Sequence, residues 1–287
     1  MSAERVELGA FGRPIRGPSA LGGDWRRFVH LSWTLAVTDF KLRFFGSALG
    51  YLWQLMRPLM LFGVLYVLFA VILNVGGNAK YFPVVLLLNV VVYTFFAEVT
   101  TASVRAVVDK ENLVRKIRFP RLVIPCSVVL TGCFNLGLNL IVVLIFALLY
   151  GVPPRWEWLL APPMVFLGAI LALGCAMLLS ALFVRARDIA PIWEVLLQLA
   201  FYGSPILYPI EALNNYPIPQ QIVACNPLAA LLIEIRHVVI DPTAPDLYTV
   251  FGGVWWRVLI PVTLATATCV VGYWYFNREA PRIAENL

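Results

Sequence analysis

Hydrophobic positions in this chain fall in long unbroken runs, not in alternation with polar ones. No Asp, Glu, Lys or Arg occurs from Pro58 to Ala79, Tyr81 to Ala97, Leu122 to Pro154, Trp158 to Val184, Val195 to Ile210, or Val258 to Asn277. A helix crossing ~30 Å of hydrocarbon needs about 20 mostly apolar residues. Four of the six runs reach that length, and the other two do so by including Glu98 or Glu194 near one end. The pattern predicts an all-α membrane protein with six transmembrane helices, at about 55–77, 81–104, 122–150, 158–184, 189–210 and 256–277. The job of such a protein concerns the bilayer.

Composition agrees with this reading. Hydrophobic residues make up 61% of the chain, against roughly 45–50% in soluble domains. No interval between runs is large enough for a separate soluble catalytic domain. The net charge of +6 is not read as a nucleic-acid footprint, because basic residues beside membrane helices set topology. With both termini inside, eighteen Lys and Arg lie on the cytoplasmic side, and only Lys80, Arg155, Arg236 and Arg257 lie outside. This asymmetry predicts an N-in, C-in arrangement.

The segments between runs carry the remaining signals. Residues 1–23 lack the apolar core of a signal peptide and are expected to form a flexible cytoplasmic tail, as are 279–287. Within 24–45, Trp25, Phe28, Val29, Trp33, Ala36 and Phe40 recur at helical spacing opposite Arg26, Arg27, His30, Thr34, Thr38 and Lys41. An aromatic face opposed to a basic one predicts an amphipathic helix lying in the membrane interface. Gly46 and Gly50 follow, without the Gly-Lys-Ser/Thr ending of a phosphate loop. The loop from Arg105 to Arg121 is dense in charge, with Val107, Val108, Val114 and Ile117 keeping it amphipathic. It predicts a short cytoplasmic helix, either a solvated positive-inside loop or an element that docks on a soluble subunit. The fifth run ends in Tyr202-Gly203-Ser204-Pro205-Ile206-Leu207-Tyr208-Pro209, where proline must stop or kink the helix. After it, Asn226 and Pro227 suit the N-cap and first position of a short helix that re-enters the outer leaflet and gates an exit.

Catalytic chemistry is not expected in this chain. The five cysteines form no CxxC and no metal spacing. His30 and His237 are far apart, and no Ser, His and Asp share a loop. Glu98 lies near the cytoplasmic interface, where Arg105 or Arg185 is its expected partner in a structural or gating role. Tyr93, Phe95, Phe96, Tyr202 and Tyr208 are candidates to line a path for sugars, whose C–H faces pack on flat rings.

The order of these motifs carries a resemblance. Phe45-Gly46-Ser47-Ala48-Leu49-Gly50-Tyr51-Leu52-Trp53-Gln54-Leu55-Met56-Arg57-Pro58, the stretch from Asn112 to Pro120, Tyr202 to Tyr208, and Asn226-Pro227-Leu228 together resemble ABC-2 type permeases that export bacterial surface polysaccharides such as O-antigen, teichoic acid and mycobacterial galactan. The likeness spans about residues 25–278, so that 46–278 would be the ABC-2 transmembrane domain. It implies a homodimer in the bacterial cytoplasmic membrane, with two copies of a separate ATPase that holds the ATP and Mg. This chain itself would bind no cofactor or metal. The resemblance implies a glycan on polyprenyl pyrophosphate as cargo and assigns coupling to Asp109, Lys110, Glu111, Asn112, Leu113, Val114, Arg115 and Lys116. It places the headgroup near Arg26, Arg27, Lys41 and Arg43, and the outer gate at Gly203, Pro205, Pro209, Asn226 and Pro227. A drug or simple-lipid exporter of the same superfamily is the alternative. An integral-membrane polyprenyl-dependent transferase or a secondary transporter fits less well, since the acidic pairs of the one and the paired broken spans of the other are missing.

Overall fold

The computed structural model describes residues 25–44, 50–73, 81–111 and 120–279. Among these residues all regular structure is helical. In chain order the main helices are α1 (Trp25–Phe44), α2 (Gly50–Leu65), α3 (Phe82–Asp109), α4 (Val123–Leu149), α5 (Ala161–Arg185), α6 (Ile189–Gly203), α7 (Pro217–Cys225), α8 (Pro227–Ile235), α9 (Leu247–Val250) and α10 (Leu259–Glu279). α2 runs on into a wider π-helical stretch, Tyr66–Ile72.

Five helices are long and apolar enough to cross a membrane: Leu52–Ile72, Phe82–Asp109, Val123–Leu149, Trp156–Arg185 and Trp255–Glu279. They match the first, second, third, fourth and sixth expected spans. The fifth differs. Its helix is only Ile189–Gly203, 15 residues, because Pro205 and Pro209 supply no N–H to extend it. The bent pair Pro217–Cys225 and Pro227–Ile240, turning through 100°, would raise the total to six if it counted as one span.

α3 is the axis of the bundle. Nearly its whole length is buried, and it packs against α4 and α5 along most of that length and against α2 and α6 more locally. Its hydroxyls turn inward on their own helix. Thr100 donates to Phe96 O and Ser103 to Val99 O, both at 2.7 Å, which satisfies them away from water. α4 crosses α3 closely at Gly132, where a Cβ would stand 2.1 Å from Val99 Cγ2. α10 lies against α5 through a similar glycine contact.

The residues between α6 and α10 build a small core of their own from Ile210, Ala224, Ala230, Ile233, Leu247, Val250 and Phe251. This cap sits at the Phe82 end of α3. At the opposite end of α3, Lys110 pairs with Asp39 of α1 at 2.5 Å.

α1 is helical as its periodicity requires, but its faces divide differently from the expected pattern. Phe28, Ser32 and Ala36 are buried against the bundle, with Phe28 beside Val107, Ile124 and Phe276. Trp25, Val29 and Trp33 remain exposed. The aromatic stripe is therefore split between a protein-facing row and an outward row. Thr131 of α4 donates to Ala36 O at 3.2 Å, and Phe134 meets Trp33 and Phe40 edge-on.

Candidate functional site

A groove of about 680 Å³ opens between α2, α3 and α6. It mixes charge with rings. Tyr93, Phe201 and Tyr202 form its aromatic part, and Thr94, Thr101, Gln54 and Gln198 supply neutral polar groups. Arg43, Arg57 and Glu98 bring charge to the same groove. Such a surface at membrane depth needs either water or another chain against it.

Helix geometry explains how these residues meet. Tyr93, Ala97 and Thr101 lie one turn apart on α3, as do Thr94, Glu98 and Ala102, so the two rows form one continuous strip. α2 brings Gln54, Arg57 and Leu61, three and four residues apart on one face, to that strip. Gln54 Nε2 donates to Glu98 Oε2 at 3.3 Å, and Arg57 Nη1 lies 3.5 Å from Glu98 Oε1. The expected partners of Glu98 are engaged elsewhere. Arg105 stands 6.0 Å over the Phe183 ring, and Arg185 pairs with Glu279 at 3.7 Å. The reason is register: Glu98 projects toward α2, and α5 lies on another side of α3.

Of the five aromatics singled out from sequence, Tyr93 and Tyr202 line the groove. Phe95 and Phe96 are packed into the core instead, because α3 turns them toward α4 and α6. Phe95 lies 3.2 Å from the Cβ position of Gly132, and Phe96 is beside Trp193. Tyr208 borders a small recess with Phe82, Asn89 and Pro205. Phe201 belongs to the groove without being a sequence candidate, and Arg57, named only as part of the Phe45–Pro58 motif, also lines it. Phe201 stands next to Tyr202, which the sequence did mark.

α6 is tied to α3 by three side-chain hydrogen bonds. Asn89 Nδ2 donates to Pro205 O at 2.9 Å, the Tyr93 hydroxyl to Leu197 O at 2.6 Å, and Trp193 Nε1 to Thr100 Oγ1 at 3.0 Å. The first satisfies a carbonyl just beyond the end of a prematurely stopped helix, and the other two hold the body of that helix. Tyr93→Phe is expected to cost about 1 kcal/mol, the usual net worth of one buried hydrogen bond. A detergent thermal-melt comparison with the wild-type chain reads it.

The proposed outer gate has its own geometry. Asn226 caps α8 by accepting from Leu228 N at 3.1 Å, with Pro227 in the first turn. Its Nδ2 also donates to Ser204 Oγ at 3.3 Å, which links α8 to the Gly203–Pro209 segment. Arg236, buried, makes a two-pronged pair with Glu211 at 2.7 and 2.5 Å. Burial works to raise the Asp246 carboxyl, but hydrogen bonds from the Thr249 hydroxyl and N–H, with His237 nearby, hold it below its ordinary value.

The remaining sequence assignments separate in space. Arg26 and Arg27 begin α1 whereas Lys41 and Arg43 end it, about 25 Å apart at 1.5 Å per residue. One headgroup therefore cannot touch both sets, and only Arg43 lines the groove. In the coupling segment, Arg105–Asp109 form the last turns of α3 and not a separate helix. Asn112, Leu113, Val114, Arg115 and Lys116 lie outside the described residues. No group of three or more His, Cys, Asp or Glu among the described residues is arranged to hold a metal.

A bundle of apolar helices with a polar, ring-lined groove on its flank defines a multi-pass membrane permease. Residues 30–239 match the ABC-2 type transporter family, and the chain belongs to it. Curated relatives agree. The O-antigen export system permease protein RfbA of Myxococcus xanthus is 30% identical over 213 residues, covering 74% of this chain and 81% of that protein. A protein of the same name from Klebsiella pneumoniae is 27% identical over 253 residues, covering 87% of this chain and 92% of its own length. A second Klebsiella pneumoniae relative of that name is 28% identical over 203 residues, covering 69% and 76%.

Proposed function

We propose that this chain is the permease subunit of an ATP-driven exporter that carries a lipid-linked cell-surface polysaccharide across the bacterial cytoplasmic membrane. The observation that carries the reading is the groove. Its wall combines rings, hydroxyls, amides and charge within a bundle that elsewhere exposes many large apolar side chains. A glycan presents alternating C–H faces and hydroxyls, and rings beside amides match both. A drug or simple-lipid exporter would gain little from the amides and charge set into that wall. The names of the relatives, O-antigen export permeases, point the same way.

In this reading two copies face each other across their grooves and enclose a hydrated path. The Asp109 end of α3 and both termini are cytoplasmic, in keeping with the distribution of Lys and Arg. The cap formed by α7, α8 and α9 closes the outer side, and α1 lies along the inner interface. Two copies of a separate ATPase, holding ATP and Mg, engage residues 105–118. ATP binding there shifts the dimer between inward-open and outward-open states by contacting them unequally. The polyprenyl pyrophosphate headgroup is admitted near Arg43.

Reconstitution tests this. The permease and its partner ATPase in proteoliposomes are expected to protect lipid-linked glycan in an ATP-dependent manner. Permease alone, or the complex with a non-hydrolysable nucleotide, is expected to give none. Transport by the permease without the ATPase would sink the reading.

A further inference from the structure

Charge in the groove is unbalanced in a way that suggests an exchange. Three charged residues line it: Arg43, Arg57 and Glu98. Arg43 makes no ion pair among the described residues. Among the described residues, Arg57 and Glu98 form the one ion pair of the groove, and the two partners are held very unequally. The Glu98 side chain is 23% exposed and also accepts from Gln54, so it is set into the wall. The Arg57 side chain is 78% exposed and reaches it at only 3.5 Å.

We infer that Arg57 is the anion-reading residue of the groove and that Glu98 holds it until a phosphate-bearing headgroup takes it over. The inference rests on the permease reading above. The physical case is one of competition for a guanidinium. A loose, solvated pair between Arg and a carboxylate is worth little and is readily given up. A phosphate offers more oxygens and more charge than a carboxylate, in a geometry the guanidinium fork matches with two hydrogen bonds. Glu98 loses little on release, because Gln54 still donates to it. Arg43 adds a second cation to the same groove, so a headgroup with two phosphates would meet two arginines.

Glu98 then acts as an internal stand-in for the ligand. It keeps Arg57 aimed into the groove and sets a threshold that weakly charged lipids do not pass. The chemistry recognised is a phosphate-bearing lipid headgroup. Its source is either the pyrophosphate of a polyprenyl carrier or an anionic phospholipid of the bilayer.

The sign of one substitution separates this from a structural ion pair. The full permease–ATPase complex is placed in phosphatidylcholine nanodiscs and titrated with radiolabelled polyprenyl pyrophosphate. Glu98→Gln removes the competitor with nearly the same shape and is expected to tighten binding about two- to fivefold, the range an exposed ion pair supplies. Arg57→Gln is expected to weaken it at least about tenfold, as loss of charge-assisted bonds requires. The double variant is expected to bind like Arg57→Gln alone, since Glu98 acts only through Arg57. Detergent melting of each variant checks that the fold is kept. Binding that weakens or stays unchanged in Glu98→Gln overturns the inference, as does wild-type protein that binds no probe. A parallel titration with phosphatidylglycerol distinguishes the sources: displacement of the label with the same Glu98→Gln shift assigns the site to bilayer lipid, and no displacement assigns it to the carrier. The permease reading fails separately, if the wild-type complex exports no lipid-linked glycan.

Discussion

Reversing the charge of Asp109, Glu111, Arg115 and Lys116 together is expected to abolish co-purification of the partner ATPase and bring ATP-dependent export to background. Membrane insertion and expression are expected to stay at wild-type levels. The argument starts from α3. Its 28 residues make about 42 Å of helix at 1.5 Å per residue, more than the ~30 Å of hydrocarbon. One end must therefore project, and the Asp109 end carries the charged segment. That end is fastened to the molecule twice: Lys110 pairs with Asp39 of α1, and Val107 packs in the cluster that holds Phe28 and Phe276. A partner that pushes there acts on the most deeply buried helix of the bundle. The same helix carries Tyr93, Thr94 and Glu98 in the groove and holds α6 through Asn89, Tyr93 and Thr100. Force applied at one end thus has a rigid route to the groove wall. An interface built on complementary charge loses its attraction and acquires repulsion when the signs are reversed. Unchanged co-purification with unchanged transport would remove residues 105–118 from the coupling role.

What the residues disclosed in advance, and what they did not, has a physical pattern. Long apolar runs predict spans because the bilayer imposes a single length scale, and five helices long and apolar enough to cross it lie within a few residues of the expected positions. The fifth run overshoots its helix because hydropathy counts Ile206, Leu207 and Ile210 as apolar, whereas the prolines already legible at 205 and 209 end the helix at Gly203. Asn226 and Pro227 were legible because capping is local chemistry. Which aromatics face the groove was not. Phe95 and Phe96 differ from Tyr93 and Thr94 only by rotation about α3, and that rotation is set by where α4 packs at Gly132. The partner of Glu98 was likewise hidden, since Arg57 and Glu98 are 41 positions apart and nothing between them signals that α2 would return beside α3 at that register.

Gly272→Leu is expected to destabilise the fold by about 3 kcal/mol or more and to loosen α10 from α5. Helices in lipid gain little from burying apolar surface against each other, so close contact over small residues holds them together. A Cβ at residue 272 would stand 2.3 Å from the carbonyl oxygen of Gly174. A Cβ at residue 174 would meet Cys269 Sγ at 2.8 Å and its Cα at 2.9 Å. The obstacles are backbone atoms, which cannot swing aside as a side chain does. Added methylenes in packed cores ordinarily cost about 1–3 kcal/mol, and here the helices must also separate. Few residues of α10 are fully buried: Pro261, Gly272, Phe276 and Glu279. Separation of the helices would draw Phe276 from its pocket beside Val107 and Ile124 and pull Glu279 away from Arg185. The loss would therefore spread from the glycine contact to the Asp109 end of α3. Gly137→Leu serves as the control, because nothing lies within 4 Å of a Cβ there. Thermal unfolding in detergent is expected to fall sharply for Gly272→Leu and little for Gly137→Leu. Maleimide labelling of Cys269, now half-buried with its thiol 3.3 Å from Ile170 O, is expected to speed up in the first variant alone. Equal melting of Gly272→Leu and the wild type, with unchanged labelling, would mean that α5 and α10 are not joined at this crossing.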